Sequence, residues 1–120
     1  MIACVGAGQW GRNVIRNFYD LGVLSYVCDP ESQARARITA YPSGVSVTES
    51  LEEILRDPQV QGVAIASPAS THGSIVRSAL IEAWNEGRRR LAGVYDEAFA
   101  GTTSSRRERC QDQNTFTIFT

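Results

Sequence analysis

Three glycines near the start of the 120-residue chain, Gly6, Gly8 and Gly11, occupy the first, third and sixth positions of a short turn. Each has its own physical reason to lack a side chain. Gly6 lets the backbone turn sharply after an apolar run, Gly8 leaves the main chain bare where a pyrophosphate would approach, and Gly11 lets a following helix pack closely on a sheet. The chemistry this spacing suits is anion binding. The unpaired N–H groups and positive dipole end of a helix opening at Gln9 and Trp10 would hold a diphosphate without a cationic side chain. No lysine is present to do so, since all twelve basic residues are arginines.

A second chemical group is the carboxylate of Asp29, which ends the apolar run Leu24-Ser25-Tyr26-Val27-Cys28. Its distance from the glycines is close to the ~20 residues expected of an acid that accepts hydrogen bonds from an adenosine ribose. Asp29 can also cap the helix that follows it, and the two roles are compatible. A carboxylate there favours NAD over NADP, because it repels a ribose 2′-phosphate; Arg35 and Arg37 read better as a solvated helix face than as partners of that phosphate. The third group is Ser67-Pro68-Ala69-Ser70-Thr71-His72. Ser67 and Pro68 stand where a strand gives way to a rigid loop, which suits a wall beside a flat ring. His72 is the only histidine. In the first turn of a helix it suits a structural hydrogen bond better than catalysis.

The elements that must position these groups are legible as alternating apolar runs and amphipathic segments. Met1–Val5 reads as a strand, and Val14, Ile15, Phe18, Tyr19 and Leu21 give the next segment a helical stripe that Gly22 ends. Strand Leu24–Cys28 is followed by a short helix carrying Ala34, Ile38 and Tyr41, then by strand Val45–Val47. Ser50 with Glu53 forms a capping-box pattern before Leu51, Ile54 and Leu55, and Asp57-Pro58 stops that helix. A continuous apolar run, Val63–Ala66, suits a strand covered on both faces. Ser70 or Thr71 would cap the last helix, with Ile75, Val76, Ala79, Leu80, Ala83 and Trp84 on its apolar side. The alternation predicts an α/β fold: a doubly wound parallel sheet, Rossmann-like, in three αβα layers.

Composition narrows the function. A net charge of −1 offers nothing to nucleic acid or an anionic membrane surface. Cys4 and Cys28 fall in buried strands and Cys110 in a polar stretch, with no CxxC or Cys/His spacing, so core thiols in a reducing cytosol are expected and a metal site is not. No apolar run approaches the ~18 residues of a spanning helix, and a cytoplasmic, soluble protein is expected.

With the glycine turn, Asp29 and Ala66-Ser67-Pro68-Ala69-Ser70-Thr71-His72 in place, the chain resembles the N-terminal domain of the Gfo/Idh/MocA oxidoreductases, which include glucose–fructose oxidoreductase and inositol dehydrogenase. Gly8-Gln9-Trp10-Gly11-Arg12-Asn13 and Phe18-Tyr19-Asp20-Leu21-Gly22 look most like members acting on nucleotide-activated sugars. The resemblance covers residues 1–84, placing a cofactor-binding domain at 1–85 and an atypical tail at 86–120. It implies that Gly6, Gly8 and Gly11, with Gln9 and Trp10 between them, hold the pyrophosphate. It likewise puts Asp29 on the adenosine ribose, and Ser67, Pro68 and His72 along the nicotinamide end. Members of the family move a hydride between NAD(P) and a sugar or polyol carbon.

The family's fifth strand ends in Glu-Lys-Pro, and a second domain binds the sugar and supplies a catalytic histidine or aspartate. Here the corresponding stretch reads Trp84-Asn85-Glu86-Gly87-Arg88-Arg89-Arg90-Leu91, and the chain has no lysine. Residues 86–120 are rich in arginine and serine, as expected of a disordered or frame-shifted tail, with only Leu91–Tyr95 and Phe116–Phe119 suited to strands. The expected function is a dinucleotide-binding domain of a sugar oxidoreductase, catalytically incomplete as it stands, with a sugar substrate only if a second domain is supplied. Two alternatives accompany it: a stand-alone nucleotide-sensing domain, and a non-functional fragment whose fourth strand is left as an exposed edge.

Overall fold

Short β-branched and small-residue runs alternate with helical segments along the chain, and the computed structural model describes them over residues 1–38, 44–85, 90–95 and 115–119. In order they are β1 (Ile2–Val5), α1 (Gln9–Asp20), β2 (Leu24–Cys28), α2 (Ser32–Ile38), β3 (Ser46–Thr48), α3 (Leu51–Arg56), β4 (Gly62–Ile65), α4 (Ala69–Asn85), β5 (Arg90–Tyr95) and β6 (Thr115–Phe119). The strands form one parallel sheet of order β3-β2-β1-β4-β6-β5. This is the doubly wound, Rossmann-like α/β architecture that the alternation predicts.

Strand alternation sends successive side chains to opposite faces. Ala3, Val5, Cys28, Val63 and Ile65 pack with Ile54, Leu55, Ala79 and Ala83 of α3 and α4. Cys4, Leu24 and Val27 pack with Ile15 of α1 and with Ala34 and Ile38 of α2. A helix layer therefore covers each side of the sheet. Cys4 and Cys28 belong to different faces and are both buried free thiols. Burial pushes their pKa values up, to about 12 for Cys4 and about 11 for Cys28.

Several local expectations are corrected. Leu21 is 71 % exposed because it is the C-cap of α1 rather than part of its apolar stripe. Gly22 follows at φ +68°, and its N–H and that of Val23 donate to Tyr19 O and Phe18 O in a Schellman closure. Strand β3 begins one residue later than the expected Val45. The Ser50 hydroxyl accepts from Glu53 N as a cap should, but the Glu53 carboxylate accepts from the Thr48 hydroxyl at 2.6 Å, so only half of the capping box forms. Helix α4 starts at Ala69, ahead of the expected caps Ser70 and Thr71, and Leu80 on it is exposed. Tyr41 and Cys110 lie outside the described residues.

The two strands expected in the tail are present, and they change the state of the sheet edge. Val63 and Ala64 of β4 pair in register with Ile118 and Phe119 of β6, and β5 lies outside β6. The fourth strand is thus an interior strand, not the exposed edge expected of a fragment, and Ile118 is fully buried against it.

Candidate nucleotide-binding crevice

The strand order reverses between β1 and β4, whose neighbours lead the chain in opposite directions across the sheet, and ligands of such sheets bind beyond the strand ends at that switch. Two segments meet there: the turn from β1 to α1 and the connection from β4 to α4. Gly6 N donates to Cys28 O and Ala66 N to Val5 O, each at 2.8 Å, so the turn is pinned between β2 and β4.

The three glycines have different structural demands. Gly6 has φ +100°, and a Cβ on it would stand 2.6 Å from Ser67 N and 2.7 Å from the Ala66 carbonyl carbon. A Cβ on Gly11 would strike the Gly6 carbonyl oxygen. Both must be glycine for the main chain to close. Gly8 differs: its φ of −67° and ψ of −166° suit any residue, and a Cβ there would meet nothing within 4 Å. Gly8 is also the N-cap of α1, yet no side chain caps that helix. The first N–H groups of the 12-residue α1 open on the exposed surface at Gly8, Gln9 and Trp10, with no acidic residue in the first turn. A bare, uncapped helix start beside unused space fits the diphosphate of a dinucleotide. Trp10 is 73 % exposed beside it.

Asp29 closes the other side. One carboxylate oxygen accepts from Ala7 N at 2.7 Å and the other from Glu31 N at 2.8 Å. It therefore braces the glycine turn and caps the start of α2 at once, with lone pairs left on each oxygen for further donors. Arg35 departs from expectation. It is not a solvated residue: its guanidinium donates to Asp29 O at 2.7 Å and Pro30 O at 2.9 Å and pairs with Glu49 at 3.0 Å. Arg37 remains exposed.

Ser67 and Pro68 stand at the end of β4, with Ser67 against Gly6. His72 lies within α4 and turns its Nε2 back to Ser67 O at 2.7 Å, the structural hydrogen bond its position suggests. The structure brings Gly6, Gly8, Gly11, Asp29 and Ser67 to one place and ties His72 to the Ser67 carbonyl. Sequence reasoning missed Ala7 and Glu31, whose N–H groups hold Asp29, and took Thr71 only as a candidate helix cap, where its hydroxyl instead meets Ser67 Oγ and Pro68 O; Asp29-Pro30-Glu31 is an Asx-turn pattern that could have signalled one of them. A separate open groove of about 370 Å³ runs between α3 and α4, and no glycine-turn or β4–α4 loop residue lines it. Among the described residues no metal-binding cluster occurs and no helix is long and apolar enough to cross a membrane.

Residues 1–85 match the profile of the Gfo/Idh/MocA oxidoreductase family, described as an NAD-binding Rossmann fold. The chain belongs to this family. Among solved structures, the Gfo/Idh/MocA chain is similar to a probable dehydrogenase from Thermotoga maritima, with TM-score 0.63 and 16 % identity over 80 % of this chain and 27 % of that one. It is also similar to GenD2 from gentamicin A biosynthesis, solved in complex with NAD, with TM-score 0.55 and 25 % identity over 79 % of this chain and 26 % of that one. The chain thus spans about a quarter of the length of these relatives. No curated protein sequence matches it.

Proposed function

We propose that the chain is the cofactor-binding portion of a sugar or nucleotide-sugar oxidoreductase, that it takes NAD in preference to NADP, and that these 120 residues do not turn over a sugar by themselves. The observation that carries this reading is Gly8: a glycine the fold does not require, capping a helix that no side chain caps. The N–H groups of Gly8, Gln9, Trp10 and Gly11 would face the diphosphate, with Gly6 shaping the turn. Asp29 would accept from the ribose hydroxyls while keeping its two main-chain donors, and its charge disfavours a 2′-phosphate. Arg35 is already engaged by two carbonyls and Glu49 and so is less available to such a phosphate, which supports NAD. Ser67 and Pro68 would form the wall at the nicotinamide end. The NAD complex of GenD2 supports the same cofactor.

When bound, the nicotinamide supplies or accepts a hydride, and the chain's part is to bind and orient it. The lysine that the family resemblance implies for proton transfer has no counterpart, since the chain holds no lysine, and His72 is tied to Ser67. A second domain would supply both the sugar site and a group for proton transfer. The buried free thiols suit a reducing, cytoplasmic setting. Calorimetric titration of the purified chain with NADH and NADPH tests the proposal. NADH should bind and NADPH bind more weakly; a cooperatively folded chain that takes neither would overturn it.

A further inference from the structure

The connection behind Ser67 is tied together by hydrogen bonds whose directions can be worked out. Thr71 Oγ1 lies 2.7 Å from Pro68 O and 2.8 Å from Ser67 Oγ. A carbonyl can only accept, so the single Thr71 proton goes to Pro68 O. Ser67 Oγ must then be the donor to Thr71 Oγ1, and its only proton is used. The same logic fixes His72: its Nε2 faces Ser67 O, so that nitrogen carries a proton. Ser67 is left with its hydroxyl offering lone pairs alone and with its carbonyl held by His72. Its peptide N is the atom nearest to any Cβ placed on Gly6, so the tied segment bears directly on the glycine turn.

We infer that Thr71 and His72 are positioning residues that fix the Ser67 hydroxyl as an acceptor-only group in the wall of the crevice, selecting a hydrogen-bond donor opposite it. A carboxamide N–H₂ or a ribose hydroxyl fits that hydroxyl, and a phosphate oxygen does not. The inference rests on the proposed dinucleotide site and adds the polarity of one of its walls. Neither side chain need touch the ligand. Thr71→Val keeps the shape of the side chain but removes the acceptor, freeing the Ser67 proton to point elsewhere. His72→Leu removes the tie to the Ser67 carbonyl.

The test compares NADH with ADP, which shares the adenosine and diphosphate but lacks the nicotinamide half, by titration of the full chain and its variants. Thr71→Val and His72→Leu should each weaken NADH about three- to tenfold, the size of one neutral hydrogen bond, and leave ADP within about twofold. Thr71→Ser and His72→Gln, which restore the acceptor and the donor, should return the NADH/ADP ratio to that of the unaltered chain. Equal weakening of both ligands, or no change in the ratio, would overturn the inference while leaving the dinucleotide site in place. Failure of the unaltered chain to bind NADH would instead remove the site and this inference with it.

Discussion

Gly8→Ala separates the demands of the ligand from those of the fold. The backbone at Gly8, φ −67° and ψ −166°, is open to alanine, and a Cβ there touches no protein atom within 4 Å. Alanine is a poorer N-cap than glycine, a cost of about 0.5–1 kcal/mol, but it also restricts the unfolded chain, a gain of about 0.4–1 kcal/mol. The two nearly cancel, so the melting temperature should move by no more than about 4 °C. The same Cβ stands where a diphosphate must approach the α1 N–H groups. Loss of two charge-assisted hydrogen bonds, at about 1.5–3 kcal/mol each, would weaken NADH roughly 10²- to 10⁴-fold. Gly6→Ala should behave in the opposite way. It places a side chain at φ +100° against the Ala66–Ser67 peptide and should destabilise by about 3 kcal/mol or more. Thermal melts and NADH titrations of both variants give the answer. Gly8→Ala binding NADH like the unaltered chain, or unfolding like Gly6→Ala, would refute the reasoning.

Two further substitutions or conditions read other parts of the account. Asp29→Ala leaves Ala7 N and Glu31 N without their acceptor, so the urea midpoint should fall by the equivalent of about 1–3 kcal/mol, and NADH should weaken more than NADPH; equal losses for the two cofactors would contradict the ribose role. Alkaline pH should destabilise the fold. With Cys4 raised to about 12 and Cys28 to about 11 from 9.0, the unfolded chain releases thiol protons above pH 9 while the native chain retains them. The unfolded state then binds fewer protons, and stability falls by up to about 1.4 kcal/mol per pH unit for each thiol. Tyr26, raised by its hydrogen bond to Asp57, acts in the same direction. Urea midpoints from pH 8 to pH 10.5 check this, and a flat profile would contradict it. His72→Leu and Thr71→Val complete the set through the NADH/ADP ratio.

Much of the fold was legible because each element carries its own local signal. The glycine turn announces α1, Asp57-Pro58 ends α3, and the apolar run Val63–Ala66 reads as a strand covered on both faces, which the structure places one residue earlier at Gly62–Ile65. Even β5 and β6 were visible as apolar runs in a polar stretch, but not their order. Which of two strands joins β4 depends on packing across the sheet, and β6 takes the place with Ile118 in the core. Helical spacing failed at Leu21 because the helix has already ended at its cap. At the site, residue types and spacing pointed to Gly6, Gly8, Gly11, Asp29 and Ser67. Hydrogen-bond direction was not legible, since Ala7 and Glu31 act through main-chain N–H groups any residue could supply, and the Thr71 hydroxyl finds Ser67 and Pro68 only once the β4–α4 connection has folded. Arg35 shows the limit well: its charge suggested solvent or phosphate, and it holds the β2–α2 connection instead.

The central claim is that main-chain amides of the first helix turn hold a diphosphate. Amide-resolved NMR titration of the isotopically labelled chain with NADH measures this directly. The account predicts that the Gly8, Gln9, Trp10 and Gly11 amide signals move together and saturate, with Ala7 following through its bond to Asp29. Saturable shifts confined to other surfaces, such as the α3–α4 groove, with those four amides unmoved, would contradict it.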